Sequence, residues 1–335
     1  MPRNAVFILG AGASAPFGVP TLPNVFKDIW ARQHLANDEF LLSKLNEYFW
    51  GPRGHNLETS NQTLTIEEIL TLVRDFEQQP YAIPPLLGED TERFRRSLYV
   101  LIKKAVYDGK NTQGRHLNPV IKFGGDHFDQ VTWASFNWDC LFESSFYYSS
   151  GPNSLARHNP KVVINLLNWR HSASCHTFLK LHGGINWWYE GGNIHYLPFG
   201  RQPALNERWL SYERNQTAGT PVILEPSYYK YDDPIYQLLK EQWAHFVRSL
   251  LEADLVVIIG YSLPAADLEA RRALTIGFQS NTKARFVVID ISQNVCDRYE
   301  RLFGASRVLS IPRSIADVSE DLSNIIAEHV PSLGI

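Results

Sequence analysis

Ala5-Val6-Phe7-Ile8-Leu9-Gly10-Ala11-Gly12-Ala13-Ser14 is the stretch on which the fold turns. Its first five residues form a continuous apolar run rich in strand formers, the pattern of a strand covered on both faces in the middle of a parallel sheet. The glycines end that run abruptly. Gly10, Gly12 and Ala15 satisfy the spacing G-x-G-x-x-G/A directly after the strand, a turn in which backbone can approach a pyrophosphate while the N–H groups of the next helix face its charge. The same turn can equally be a packing device, because glycine admits close backbone contacts.

Working outward, runs of the same character recur at Val131 to Phe136, Thr177 to Leu181, Leu255 to Ile259 and Arg285 to Asp290, each stopping at a polar or glycine-bearing turn. Helical patterns lie between several of them, as at Tyr236 to Leu251 and Ala265 to Phe278. This alternation predicts an α/β fold, a Rossmann-like doubly wound parallel sheet. Two stretches break it. From about Asp38 to Lys110 apolar residues recur at amphipathic-helix spacing, and Thr65 with Glu68 resembles a capping box. From about Ser149 to Thr220, Gly, Asn, Pro and Trp mix with short strand-like pieces, which reads as loops over a cleft. The expected organisation is therefore a Rossmann-like domain from 1–37 and 113–335, with a helical insertion over 38–112; the family resemblance given below implies that this domain binds NAD and lacks a zinc module.

Composition bounds the function. The chain has 335 residues, 44% hydrophobic and 20% charged, with 9 Trp and a formal net charge of −3. That excludes a disordered chain and leaves no electrostatic footprint for direct nucleic-acid or anionic-membrane binding. The basic cluster Arg93, Arg95 and Arg96 is short and reads as a solvated helix face. Cys140, Cys175 and Cys296 stand far apart, so neither a disulfide framework nor a four-thiolate zinc site is expected. No signal peptide precedes Ala5, and no apolar run approaches the roughly 20 residues of a membrane helix, so a cytoplasmic protein is expected.

The first turn departs from that of a dehydrogenase. Pro16, Pro20 and Pro23 with Gly18 interrupt the following segment, which predicts a structured loop instead of a regular helix. Asp28 falls near the distance of a ribose-binding acid, but Val25 to Arg32 reads as helix and not as a strand end, which weakens a hydride-transfer reading. A second constellation, Ser135-Phe136-Asn137-Trp138-Asp139, follows the strand beginning at Val131, where open α/β sheets place ligand contacts. A third, Lys180-Leu181-His182-Gly183-Gly184, puts His182 at another strand end, with glycines expected to leave its ring room beside a ligand. Asp139 suits either a ligand contact or a cap on the following helix. His171, His176 and Cys175 form no recognised metal spacing, and no serine sits in a G-x-S-x-G elbow. Tyr228, Tyr229 and Tyr231 suit a cleft wall, core packing or a subunit contact.

Taken in order, the Gly-Ala-Gly-x-Ser turn, Asn137-x-Asp139, Leu181-His182-Gly183, and the late Gly260-Tyr261-Ser262-Leu263 and Asp290-Ile291-Ser292 turns resemble the sirtuin family over nearly the whole chain. The resemblance implies an NAD+ site with Gly10, Ala11, Gly12, Ser14, Asp139, Gly260, Ser262 and Asp290 as binding residues and Asn137 and His182 as catalytic ones. Deacylase sirtuins carry two Cys-x-x-Cys pairs for structural zinc and a Gln before the catalytic Asn; this chain has no such pairs, and Phe136 precedes Asn137. In this it is more similar to the zinc-free bacterial sirtuin-like NAD+ hydrolases of antiphage defence.

That resemblance implies an NAD+ nucleosidase (NADase) giving nicotinamide and ADP-ribose or its cyclic form, with NAD+ as substrate and no metal. Alternatives are a zinc-free protein deacylase, an ADP-ribosyltransferase, or a non-catalytic NAD or ADP-ribose sensor. Asn137 is expected to hold ribose and water through its amide donor and acceptor, and His182 to act as general base. Asp290 at a strand end is expected to favour NAD+ over NADP+. The chain ends soon after its last helical pattern, near Val330. Control is therefore expected in trans or by assembly, through a homo-oligomer and a separate partner such as a HerA-type ATPase or an Argonaute-like protein.

Overall fold

The computed structural model describes residues 3–21, 24–25, 38–50, 65–78, 90–107, 117–150, 167–171, 174–197, 202–216, 219–224 and 234–331. Strand β1 (Asn4–Leu9) passes through the Gly10 turn into α1 (Ala11–Ser14) and a 3₁₀ turn at Ala15–Phe17. Then follow α2 (Glu39–Leu45), α3 (Ile66–Gln78), α4 (Thr91–Val106), α5 (Asn118–His127), β2 (Gln130–Ser135) and α6 (Leu141–Ser150). The middle of the chain supplies β3 (Leu167–His171), β4 (Ser174–Lys180), β5 (Gly183–Glu190), β6 (Asn193–Tyr196), α7 (Gln202–Glu213) and β7 (Thr220–Ile223). The last third alternates regularly: α8 (Pro234–Glu252), β8 (Leu255–Ile259), α9 (Leu268–Ser280), β9 (Arg285–Ile289), α10 (Gln293–Phe303), β10 (Val308–Ile311), α11 (Ile315–Val318) and α12 (Leu322–His329).

The main sheet has the order β10-β9-β8-β1-β2-β4-β3, parallel except for the antiparallel edge strand β3. β1 sits in the middle, with Ala5 opposite Val131 on one side and Leu255 on the other. Its five apolar residues are all buried, as a strand covered on both faces requires. Phe7 stacks on Trp133 at 4.3 Å. From β1 the chain steps outward to β2 and β4, whereas β8, β9 and β10 continue on the other flank. The turns after β1 and β8 therefore face each other across a topological switch point, where open α/β sheets form their crevice.

Three expectations shift in detail. Phe136, Leu181 and Asp290 lie one residue beyond β2, β4 and β9, although each N–H still bonds the neighbouring chain, to Leu9, Ser135 and Ile311 carbonyls. The helix expected from Ala265 begins at Leu268, because Leu263 holds φ +52° and Pro264 follows it, so the chain enters α9 through an irregular loop. The stretch expected as loops over the cleft contains, instead, the antiparallel sheet β6-β5-β7 and helix α7. Gly191 and Gly192, both at positive φ, form the two-residue hairpin between Glu190 and Asn193. β5 is buried over most of its length because it has a core on each side: Trp187 belongs to the core of the main sheet, Ile185 and Trp188 to a second one.

That second core holds the helical segment. Leu41, Leu45, Ile69, Val73, Phe94 and Leu98 pack with Trp209 and Tyr212 of α7 and with Ile223 of β7. The expected capping box is present, with the Thr65 N–H donating to Glu68 Oε2 (2.6 Å) and the Glu68 N–H to Thr65 Oγ1 (3.2 Å). No helix among the described residues is long and apolar enough to cross a membrane.

Candidate active site

A cavity of about 790 Å³ opens at the carboxyl ends of β1, β2, β8 and β9. Of the residues singled out in the sequence, Ala11, Gly12, Asn137, Asp139, His182, Gly260, Ser262 and Asp290 line it, while Gly10 and Ser14 stand behind its wall. The glycines there have a packing reason. A Cβ on Gly12 would lie 2.7 Å from Gly260 Cα, and one on Gly260, at φ +59°, would lie 2.2 Å from the Gly12 carbonyl carbon. The Gly12 N–H donates to Gly260 O at 2.8 Å, so the two turns clasp one another and bring their backbones to the cavity. A larger residue at Gly12 would spread the turns before it met any ligand.

Asn137 is fixed from behind. Its Nδ2 donates to Gly10 O (2.8 Å) and Ser14 Oγ (3.1 Å), and its own N–H donates to Ser135 Oγ (3.1 Å). Both amide hydrogens are thus committed. Of the donor and acceptor expected in the sequence, only the acceptor, Oδ1, is offered to the cavity. Asp139 has both roles left open for it: Oδ1 accepts from the Leu141 N–H at the start of α6 (2.8 Å), while the residue lines the cavity. Burial pushes its carboxyl up, against the opposing pull of Lys180, the Leu141 N–H and the Ser14 hydroxyl.

Beneath this turn Lys180, fully buried, places Nζ 2.5 Å from Asp139 O and 2.8 Å from Glu143 Oε1. Burial by itself would lower the Lys180 ammonium, but Glu143 and its other anionic neighbours raise it overall and keep it charged. Lys180 also explains a glycine: a Cβ on Gly184 would sit 2.5 Å from Nζ, and one on Gly183 would sit 1.9 Å from Val222 O. These two glycines make room for the small sheet and for Lys180. The ring of His182 is set by aromatic neighbours, Phe136 edge-on at 5.0 Å and Trp243 at 6.2 Å, and its Nε2 lies 3.2 Å from Asp267 Oδ2.

Solved sirtuin structures share this fold. One, from work on the structural basis of sirtuin substrate affinity, matches with a TM-score of 0.51 over 97% of this chain and 94% of that chain, at 13% identity. The fold is sirtuin-like. Also similar are Sir2Tm bound to a propionylated peptide (TM-score 0.48, 11% identity, 98% and 93% covered) and a Sir2–p53 peptide–NAD+ complex (0.44, 12%, 98% and 93%). No protein-family model matches the chain, and no curated protein matches it. At such identities the likeness is one of fold, and function has to be argued from the site.

Within the sirtuin-like fold, two site residues were missed in the sequence. Asp267 and Tyr261 both line the cavity, and the Tyr261 hydroxyl donates to Asp267 Oδ2 at 2.5 Å. Asp267 was hidden inside an expected helix; the signal that could have exposed it is Pro264, which moves the helix start toward it. At the other end of the cavity, Asp290 Oδ1 accepts from the Ser292 N–H (2.8 Å), and burial raises its carboxyl against the pull of Ser292 and Arg298. Arg313 and Ser314 line that end. Among the described residues no group of three His, Cys, Asp or Glu is placed to hold a metal, and His176 instead accepts from Trp133 Nε1 (2.9 Å) inside the core. Pro23, Asp28 and the tyrosines Tyr228, Tyr229 and Tyr231 lie outside the described residues.

Proposed function

We propose that the protein binds NAD+ across the switch-point crevice and hydrolyses its nicotinamide–ribose bond, as an NAD+ glycohydrolase. The observation that supports this most is the convergence on one cavity of the clasped Gly12 and Gly260 turns, an Asn137 amide with only its oxygen on offer, and His182. The turns suit a pyrophosphate, presenting backbone to it at a helix start. Breaking the bond builds positive, oxocarbenium-like charge on ribose while a neutral base departs, so little acid catalysis is required. Asn137 Oδ1, an acceptor of fixed direction, suits the orientation of a ribose hydroxyl or of the attacking water. His182 takes the proton that water loses. Asp290 suits the hydroxyls of the adenosine ribose, and its charge disfavours a 2′-phosphate.

A protein deacylase or an ADP-ribosyltransferase would break the same bond and differ in what then attacks the ribose. Phe136, stacked on Tyr261 at 4.1 Å, gives the site an apolar wall where deacylases carry an amide, a departure from the acyl-peptide pattern. Purified protein incubated with NAD+, with and without an acetylated peptide, separates the readings. Peptide-independent release of nicotinamide supports the hydrolase, peptide-dependent release the deacylase, and binding without release a sensor. The motif resemblance further supports a cytoplasmic effector of antiphage defence, assembled as a homo-oligomer and restrained by a separate partner. Light scattering tests that assembly: a monomer fully active by itself would contradict it.

A further inference from the structure

Asp267 occupies the N-cap position of α9, the place where an aspartate ordinarily accepts from the first free N–H groups of a helix. Its side chain makes no such bond. The carboxylate is buried and turned the other way, with Oδ2 3.2 Å from His182 Nε2 and 2.5 Å from the Tyr261 hydroxyl.

The loop leading to Asp267 is held in an uncommon shape to achieve this. Gly260 and Leu263 both have positive φ, and Leu263 is a bulky, buried residue for which that conformation is costly. Arg271 ties the loop down through the Pro264 and Leu263 carbonyls (3.0 and 2.9 Å), Arg298 through Ser262 O (2.5 Å), and Tyr299 through Tyr261 O (2.8 Å). Helices α9 and α10 thus both contribute to fixing a carboxylate that neither of them uses as a cap.

We propose that Asp267 is a positioning residue for His182, accepting its Nε2–H, fixing the neutral imidazole as the Nε2–H tautomer and leaving Nδ1 as the basic nitrogen. This deepens the hydrolytic reading above and rests on it. Water adds its oxygen to the ribose carbon as the bond to nicotinamide breaks, and the proton that water sheds goes to His182 Nδ1. The imidazolium so formed faces the Asp267 carboxylate, which stabilises it, and it returns the proton to solvent after each turnover. Tyr261 remains a phenol throughout, since burial, then Asp267, hold its hydroxyl well above the ordinary range. Among the described residues, the ionisable groups near the His182–Asp267 pair include Tyr261, with Arg271 and Tyr299 behind it and Asp139 across the cavity.

The test reads the ring directly. In the full chain labelled with ¹⁵N-histidine, and without NAD+, long-range ¹H–¹⁵N spectra report each tautomer, and His182→Gln identifies the His182 signals. We expect the Nε2–H tautomer at neutral pH. In Asp267→Asn the ring should titrate at least one pH unit lower, a tenfold loss of proton affinity. In nicotinamide release, Asp267→Asn should lower kcat about 10²-fold, leave KM within about threefold, and move the acidic limb of the profile to lower pH, with partial recovery in Asp267→Glu. An Nδ1–H tautomer in the unmodified chain overturns the proposal without any variant having to fold. An unshifted titration in a folded Asp267→Asn does so independently. Should the unmodified protein release no nicotinamide while the ring behaves as expected, the hydrolytic reading fails and the tethering of His182 stands.

Discussion

The two ends of the cavity are built differently. At the end near β2 and β4, Asn137, Asp139 and His182 are each bonded from behind, and their supports, Ser14, Lys180, Glu143 and Asp267, are buried. At the end near β9, Asp290 is only partly covered, Ile291 beside it is 76% exposed, and Arg313 stands in solvent. An interlocked polar end can hold atoms to within fractions of an ångström, whereas an open end can grip and release a ligand. The difference predicts that substitutions at the first end register in stability and turnover, and those at the second in affinity.

The largest effect tests whether the interlocked end is structural at its base. Lys180→Met should cost about 3–5 kcal/mol, because it leaves Glu143 as an uncompensated buried charge. The shift of the urea unfolding midpoint at unchanged slope measures it, and a loss under 1 kcal/mol would remove Lys180 as the support of the turn. Next come Asn137→Ala and His182→Ala, each expected to lower nicotinamide release by about 10²-fold or more with NAD+ affinity by calorimetry little changed. Retained turnover in both would sink the mechanism.

Ser14→Ala probes the link between Asn137 and Asp139. It removes one hydrogen bond from an amide still held by Gly10 O, so turnover should fall by about tenfold, the scale of a single buried hydrogen bond. The smallest effect belongs to the open end. Only the charged Asp290 carboxylate can accept ribose hydroxyls without donating, and burial raises its pKa. NAD+ binding should therefore be complete at neutral pH and weaken on acidification, starting at a higher pH than an ordinary aspartate would give. Asp290→Asn should flatten that dependence and narrow the preference over NADP+, both readable by titration calorimetry.

What could be read in the sequence follows from how local each signal is. β8 has the bounds that its apolar run indicates, and the Thr65–Glu68 box lies within one turn of helix. Asn137 and His182 could be singled out because both follow strands, and strand ends define the crevice in this kind of sheet. Pro264 could point to Asp267 as a helix cap, but not to its partnership with His182, which depends on the pairing of β8 with β1, of β1 with β2 and of β2 with β4. The small sheet was obscured by composition. Trp187 and Trp188 sit among turn-forming residues, and nothing local reveals that both faces of β5 are covered.

β5 also carries a mechanical link. The Ile185 N–H donates to Trp138 O (3.0 Å), in the turn between Asn137 and Asp139, while the Ile185 carbonyl accepts from Trp209 Nε1 of α7 (2.9 Å). From the neighbouring strand, the Leu224 N–H reaches His182 O at 2.9 Å. One residue thus bolts the Asn137–Asp139 turn to a tryptophan of the helical layer, so a displacement of α7 along that bond reaches the turn through Ile185. The helical layer is in this sense part of the frame that holds Asn137 and Asp139, and loosening Trp209 disturbs their placement from outside the cavity.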